Sequence, residues 1–277
     1  MRFGFDIALT GIFSDLTVVA NIAHEAEAYG WDGCFVWDHL STAGGRRLAD
    51  PWLALALIAQ ATKRIRFGPL VTPLFRRHPA KVAYETVTLD HLSNGRLIMG
   101  AGLGSDIFGE ISAFGGPLED HVRAKVLDEA LIVLTGLWSG ESFSFDGEHY
   151  RLKKAQINPP CLQSPRIPVW IAASWRRKSP MRRAARYDGV VPVRGDLLGT
   201  LSPAQVQEML DYIKGFRPAN TSFDVVHFGS TAGLQMREAG ALVSTYDRVG
   251  VTWWLETLPL DAQLEQTLDR IRLGPPR

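Results

Sequence analysis

Asp38 and His39 stand side by side where an apolar run of the chain gives out. A carboxylate next to an imidazole suits acid/base work, because histidine titrates near neutral pH and an anion can hold its ring. The plainer alternative is a strand cap in which His39 bonds a backbone carbonyl. Three other segments carry possible chemistry. Gly68-Pro69-Leu70-Val71-Thr72-Pro73 sets two prolines around an apolar pair, which suggests a bulge or an unusual peptide geometry pressed against a ligand. Gly100-Ala101-Gly102-Leu103-Gly104-Ser105 is a glycine-rich loop whose backbone could approach a flat ligand closely. Ala172-Ala173-Ser174-Trp175-Arg176-Arg177-Lys178-Ser179-Pro180 opens a helix with two serines and three basic residues. Free N–H groups at a helix start suit a phosphate, although a solvated basic turn has the same composition.

The remaining histidines are less informative. His78 precedes Pro79 on what should be the active face, and His227 sits within an apolar run from which it could point inward. His24, His91, His121 and His149 fall in helix or hairpin patterns and are expected to be surface or packing residues. No HExxH, close acid/His ligand set or GxSxG elbow occurs, so no metal site is expected and serine-nucleophile chemistry is disfavoured. Thirty basic residues against 29 acidic ones leave no electrostatic footprint for nucleic acid or an anionic membrane. Cys34 and Cys161 match no ligand spacing, and Cys34 lies in an apolar run as a buried thiol would. Asp6 interrupts the first apolar run, so no secretion signal is expected there, and a cytoplasmic location is the natural expectation.

The elements that must position these groups follow from hydrophobic periodicity. Short β-rich runs at 2–9, 33–38, 65–71, 96–100, 169–173, 189–193, 225–228 and 252–255 alternate with helical patterns. Eight such units argue for parallel strands with right-handed crossovers, and eight is the number that closes a (β/α)8 TIM barrel. The 277 residues suit one barrel domain spanning 1–277, since such barrels need about 250 residues. Residues 142–153, with aromatic residues around Asp146-Gly147-Glu148, break the alternation and suggest a small inserted β-hairpin. A doubly wound open sheet is the alternative, but its GxGxxG turn after the first strand is missing. In a barrel, these chemical groups fall at the C-terminal ends of the strands, where active sites sit.

Residues 76–104 decide between these architectures. The run Thr88-Leu89-Asp90-x-Leu92-Ser93-x-Gly95-Arg96 with its following glycine loop strongly resembles the luciferase-like monooxygenase family. That family includes bacterial luciferase, alkanesulfonate monooxygenase and the deazaflavin-dependent dehydrogenases and reductases. The likeness extends to Ala28-Tyr29-Gly30-Trp31-Asp32, Leu137-Trp138-Ser139-Gly140 and Ala184-Ala185-Arg186-x-Asp188-Gly189.

The resemblance implies a (β/α)8 barrel, usually dimeric, with FMN or coenzyme F420 at the C-terminal mouth. It implies a functional role for His39, with Asp38 fixing its position. It implies a bulge with a non-prolyl cis peptide at Leu70, Val71 and Thr72 behind the cofactor ring. Gly102 and Gly104 would lie against the cofactor, and Ala172, Ala173, Ser174, Trp175 and Arg176 would form its phosphate loop. Two features depart from relatives: the phosphate loop carries basic residues in place of glycines, and no glutamate stands at Ser105 or Asp106, where one deazaflavin branch has its general acid. The expected activity is a flavin- or deazaflavin-dependent oxidoreductase acting on a small organic substrate, either a monooxygenase using FMN or a hydride-transfer enzyme using F420. The Asp-His pair leans toward F420. A non-catalytic flavin-binding barrel is the competing reading.

Overall fold

The computed structural model describes residues 1–42, 44–194, 199–218 and 221–277. Among them, nine strands form one sheet in the order β3-β2-β1-β11-β10-β9-β8-β5-β4. These are β1 (Arg2–Ile7), β2 (Gly33–Val36), β3 (Arg66–Pro69), β4 (Thr72–Pro73), β5 (Met99–Gly102), β8 (Val169–Ser174), β9 (Gly189–Val193), β10 (Asp224–Gly229) and β11 (Trp253–Thr257). All their ladders are parallel. β3 and β4 are halves of one barrel strand, interrupted at Leu70-Val71, whose peptide bond is cis. A lone parallel bridge between Phe67 and Leu97 holds the lower half against the approach to β5. The sheet thereby closes on itself, as the expected barrel requires.

Helices α1 (Leu16–Ala28), α2 (Pro51–Ala61), α3 (Pro79–Ser93), α5 (Asp120–Trp138), α6 (Lys178–Ala184), α7 (Pro203–Lys214), α8 (Met236–Asp247) and α9 (Leu264–Arg272) cover the outside, with the short α4 (Glu110–Phe114) after β5. Local chemistry sets their starts. Asp15 caps α1 through Thr17 N–H, and Asp50 caps α2 ahead of Pro51 at its first position. In α1, Val19, Ile22, Ala23 and Ala26 recur at helical spacing and form one buried stripe.

Two cores result. The larger lies between sheet and helices. The smaller fills the barrel, where Phe35, Trp170 and Trp253 meet at ring-centroid distances of 5.2 to 5.6 Å. The hairpin β6 (Phe143–Asp146) and β7 (Arg151–Ala155) forms a separate two-stranded sheet outside the barrel wall, as expected.

Several expected boundaries shift. The first two runs end as strands at Ile7 and Val36, before Leu9 and Asp38. The third run breaks at the cis bond, where the chain turns before pairing again through Thr72. The fourth strand is regular over Met99–Gly102 and not over 96–100, because 96–98 meets β3 only through the single Phe67–Leu97 bridge; the Arg96 side chain bonds carbonyls of Ala59, Thr62 and Ile65 around the end of α2. The helix after β8 covers Lys178–Ala184.

Candidate active site

The mouth is built by four successive strand ends. β2 delivers Asp38 and His39, the β3–β4 break delivers Leu70, Val71 and Thr72, β5 delivers Gly102 and the following loop, and β8 delivers Ala172 to Ser174. The strand ends that carry these residues are therefore neighbours around the C-terminal rim.

Asp38 is 5% exposed and its carboxylate is fully engaged. One oxygen accepts from Arg76 Nη2 at 2.6 Å; the other accepts from Thr72 Oγ1 at 2.7 Å and Trp52 Nε1 at 3.3 Å. It ties the end of β2 to β4, to the turn that follows β4 and to the start of α2, but makes no bond to the His39 ring. The partner of His39 Nδ1 is instead Glu110 Oε1. The expectation that Asp38 holds the imidazole is corrected on this point: the orienting carboxylate comes from α4, 71 residues away. Asp106 has a different task, accepting from Ile111 N–H at 2.7 Å and Ser112 N–H at 2.9 Å to fix the start of α4.

Glu110 is 4% exposed. Its Oε2 accepts from Leu40 N–H at 2.8 Å and Arg76 Nη1 at 2.8 Å. Burial pushes this carboxyl up, but the His39 bond, the Leu40 N–H and the nearby Arg76 charge outweigh it, and the group is held below the ordinary glutamate range. Arg76, at the end of the 3-10 turn Leu74–Arg76, bridges the two acids and also donates to the Asp38 carbonyl at 2.6 Å. His39 itself is one-quarter exposed, wedged edge-on between Trp37 at 5.5 Å and Phe108 at 5.4 Å. With Nδ1 directed at Glu110, Nε2 is the nitrogen left to meet a ligand. The result is an imidazole of fixed orientation backed by an anion, an arrangement suited to giving or taking one proton.

The wall beside it requires glycine. A Cβ on Gly102 would sit 2.6 Å from Val71 Cγ2, and Gly104 has φ +72° with Pro73 only 2.9 Å from such a Cβ. The loop after β8 divides its residues. Ser174 continues the inward-facing series of Trp170 and Ala172, whereas Trp175 packs into the helix-side core and donates its N–H to Val193. Trp175 therefore offers neither ring nor amide to the mouth. Arg177 pairs with Asp120 at 2.5 Å, and Arg176 and Lys178 are exposed. The leading N–H groups of α6 have no intrahelical acceptor. Cations and amide donors of this kind fit a phosphate-bearing cofactor.

His78 caps α3 through Ala80 N–H and packs on Tyr150, so it is a structural residue. His227 does not face the barrel interior: Val226 and Phe228 do, and His227 stacks on Tyr246 at 3.9 Å and on Trp254 at 5.0 Å. Burial brings its imidazole down to about 4. Arg76 and Glu110 were the residues that sequence reasoning missed. Arg76 begins the recognisable stretch without showing a role, and the only local sign of Glu110 is an acidic residue opening a short apolar helix.

A closed parallel barrel with an oriented histidine at its C-terminal rim defines the chain as a TIM-barrel protein of the kind that places chemistry at strand ends. More narrowly, it belongs to the luciferase-like monooxygenase family, whose model matches residues 6–239. The F420-dependent hydroxymycolic acid dehydrogenase of Mycobacterium tuberculosis is 36% identical over 181 residues, 63% of this chain and 48% of that protein. The chain thus spans about half the length of the curated relatives it matches. Among solved structures, an F420-dependent secondary alcohol dehydrogenase in complex with an F420–acetone adduct superposes with TM-score 0.79 at 17% identity, covering 99% of this chain and 98% of that one. Monooxygenase RslO1 from Streptomyces bottropensis gives 0.75 at 21% identity, covering 99% and 97%. These two likenesses concern the fold.

Proposed function

We propose that the chain is an oxidoreductase that binds a flavin-type cofactor and acts on a small organic substrate, with coenzyme F420 as the cofactor assigned and FMN as the alternative. The observation that carries this reading is the His39–Glu110 pair, locked by Arg76 beside the Leu70-Val71 break and the Gly102 wall. The F420-dependent relatives support the choice of cofactor.

Val71, Thr72, Gly102 and Gly104 would back the ring, and Ser174, Arg176 and the N–H groups opening α6 would hold its phosphate. When bound, F420 supplies hydride transfer, and reduced FMN would supply oxygen activation. The chain's own part is orientation and proton handling. His39 Nε2 takes a proton from, or returns one to, a substrate oxygen beside the ring, while Glu110 holds the opposite nitrogen and stabilises the charged imidazole. Arg76 and Asp38 keep that pair at a fixed height above the strand ends.

Absorbance titrations with F420 and with FMN, followed by oxygen uptake with reduced FMN, test the reading. Saturable F420 binding without oxygen uptake is the expected result. FMN binding with oxygen uptake would move the protein to the monooxygenase side. Binding without any turnover would favour a non-catalytic barrel.

The partner we assign is a second copy of the chain. Leu53, Leu57 and Tyr84 are exposed along α2 and α3, beside a groove of about 560 Å³. Contiguous apolar surface of this sort suits an interface. We assign a cytoplasmic location, supported by two unpaired cysteines, of which Cys34 is buried with its thiol pushed up to about 12 by burial and by Asp6. No described helix is long and apolar enough to cross a membrane.

A further inference from the structure

The open end of the barrel carries an uppermost layer of inward-facing side chains that the cluster around His39 does not use. Phe35, Trp170, Val191, Val226 and Leu255 belong to the core inside the barrel. Strand alternation therefore turns the residues two positions further on inward as well: Trp37, Ala172, Val193, Phe228 and Thr257. Trp37 still follows the ladder, since its N–H donates to the Ile7 carbonyl at 3.0 Å. Each of these five is partly exposed, whereas the outward-facing Asp38, Ala173, His227 and Glu256 beside them are buried. Val71, also partly exposed, packs on the same inner core. Inward residues that meet solvent while their outward neighbours do not line a recess open at the rim, which a small molecule can enter.

The chemistry of this recess is one-sided. Five of its six residues are apolar, and the sixth offers only the Thr257 hydroxyl. The indole N–H of Trp37 is engaged by Asp6 Oδ2 at 2.6 Å, so the ring presents carbon. Asp6, turned inward on β1 because Phe5 and Ile7 face the helices, is 1% exposed and brings no charge to the surface of the recess. At the rim, Arg76 is held by Asp38 and Glu110. Arg46 and Arg47 lie further along the loop after β2 and are exposed, with Arg46 donating to the Leu260 carbonyl at 3.1 Å. The His39 ring is flanked by the aromatic rings of Trp37 and Phe108. Among the described residues of this inward layer, none is a cation that could pair with a phosphate or carboxylate.

We infer that the substrate of this chain is an uncharged molecule with a hydrocarbon body, an alkyl chain or a carbocycle, and a single oxygen head met by His39 Nε2. The inference rests on the cofactor reading above, in which Val71, Gly102 and the loop after β8 hold the cofactor. The rim from β2 through β1, β11 and β10 to β9 is then left for the substrate. An apolar body gains by leaving water against Trp37, Val193 and Phe228, by roughly fourfold in affinity for each methylene covered. A phosphorylated polyol would give up its hydration to a surface with almost no hydrogen-bonding groups and no countercharge.

The test titrates the cofactor-loaded protein with cyclopentanol, cyclohexanol, cyclooctanol and glycerol phosphate, with binding followed by ligand-observed NMR. Affinity should rise roughly fourfold per methylene across the three alcohols, and glycerol phosphate should not displace cyclooctanol. Phe228→Ser should lower cyclooctanol affinity about tenfold and flatten the dependence on ring size, with cofactor affinity kept. Thr257→Val replaces a hydroxyl by a methyl of similar shape, so it tests the recess without opening a cavity. It should raise cyclooctanol affinity by about two- to fourfold. Affinity independent of ring size, a size dependence that neither variant moves, or glycerol phosphate binding as well as cyclooctanol would overturn the proposal and leave the cofactor reading intact. Wild-type protein that binds neither F420 nor FMN would bring down both.

Discussion

Asp6 and Glu110 are two carboxyls with little exposed surface, Asp6 the more deeply enclosed and Glu110 at the rim, and their pKa values shift in opposite directions. Burial disfavours the charged form of each. Glu110 receives two firm donors on Oε2 and pairs with His39 through Oε1, so partners overcome burial. Asp6 receives one neutral donor, so burial prevails. Depth and partners act together here: deeper burial with one neutral donor raises Asp6, and shallower burial with several donors and charges lowers Glu110. The rim thus holds an anion behind His39, while the floor holds an acid whose proton leaves only near neutral pH.

The largest effect should come from the ring that the rim serves. His39→Ala is expected to lower turnover by about 10²–10⁴-fold while changing cofactor affinity little. His39→Asn should keep a hydrogen-bonding group at the position without restoring turnover. Wild-type turnover in the alanine variant would make the histidine structural.

The anion behind it can be broken directly. Glu110→Ala leaves Arg76 and His39 facing an empty site, and loss of a buried ion-pair partner costs about 3–5 kcal/mol. The folded carboxyl titrates below its ordinary value of 4.5, so its contribution is complete at neutral pH and is lost as pH falls through the depressed value. Denaturant unfolding should therefore show the gap between wild type and variant closing in acid. A gap that stays constant with pH would mean that Glu110 acts through packing.

Asp6 should behave in the opposite sense. Its carboxyl rises from 3.8 to about 7 on folding, so the unfolded chain loses its proton first and stability falls as pH rises through that window. Relative to the wild type, Asp6→Asn should gain ~4 kcal/mol between about pH 4 and pH 8. Parallel stability curves would show that Asp6 ionises normally.

A smaller change is expected at the far end of the arc. Ser174→Ala combined with Arg176→Glu should weaken F420 or FMN binding by about 10–100-fold, as loss of charge-assisted phosphate bonds implies. Unchanged titrations would remove this loop from the site and confine the cofactor contacts to the β2–β5 side of the mouth.

Much of the architecture was legible in the chain itself. Alternating apolar runs and helical stripes specify eight βα units, because strand and helix periods are local properties of neighbouring residues. Caps such as Asp15 and Asp50, and the proline at the start of α2, mark helix starts within a few residues. Motif spacing likewise placed His39, the Leu70-Val71 break and the glycine wall on one rim. The tertiary structure decided which groups meet. Glu110 reaches His39 across 71 residues, Arg76 joins two acids from different loops, and Trp175 turns away from the mouth although its neighbour Ser174 faces inward. Asp6 looked only like an interruption in an apolar strand, because its missing partner is a property of the closed barrel. Periodicity records which face a residue occupies, whereas ion pairing and desolvation depend on what the fold brings to that face from elsewhere in the chain.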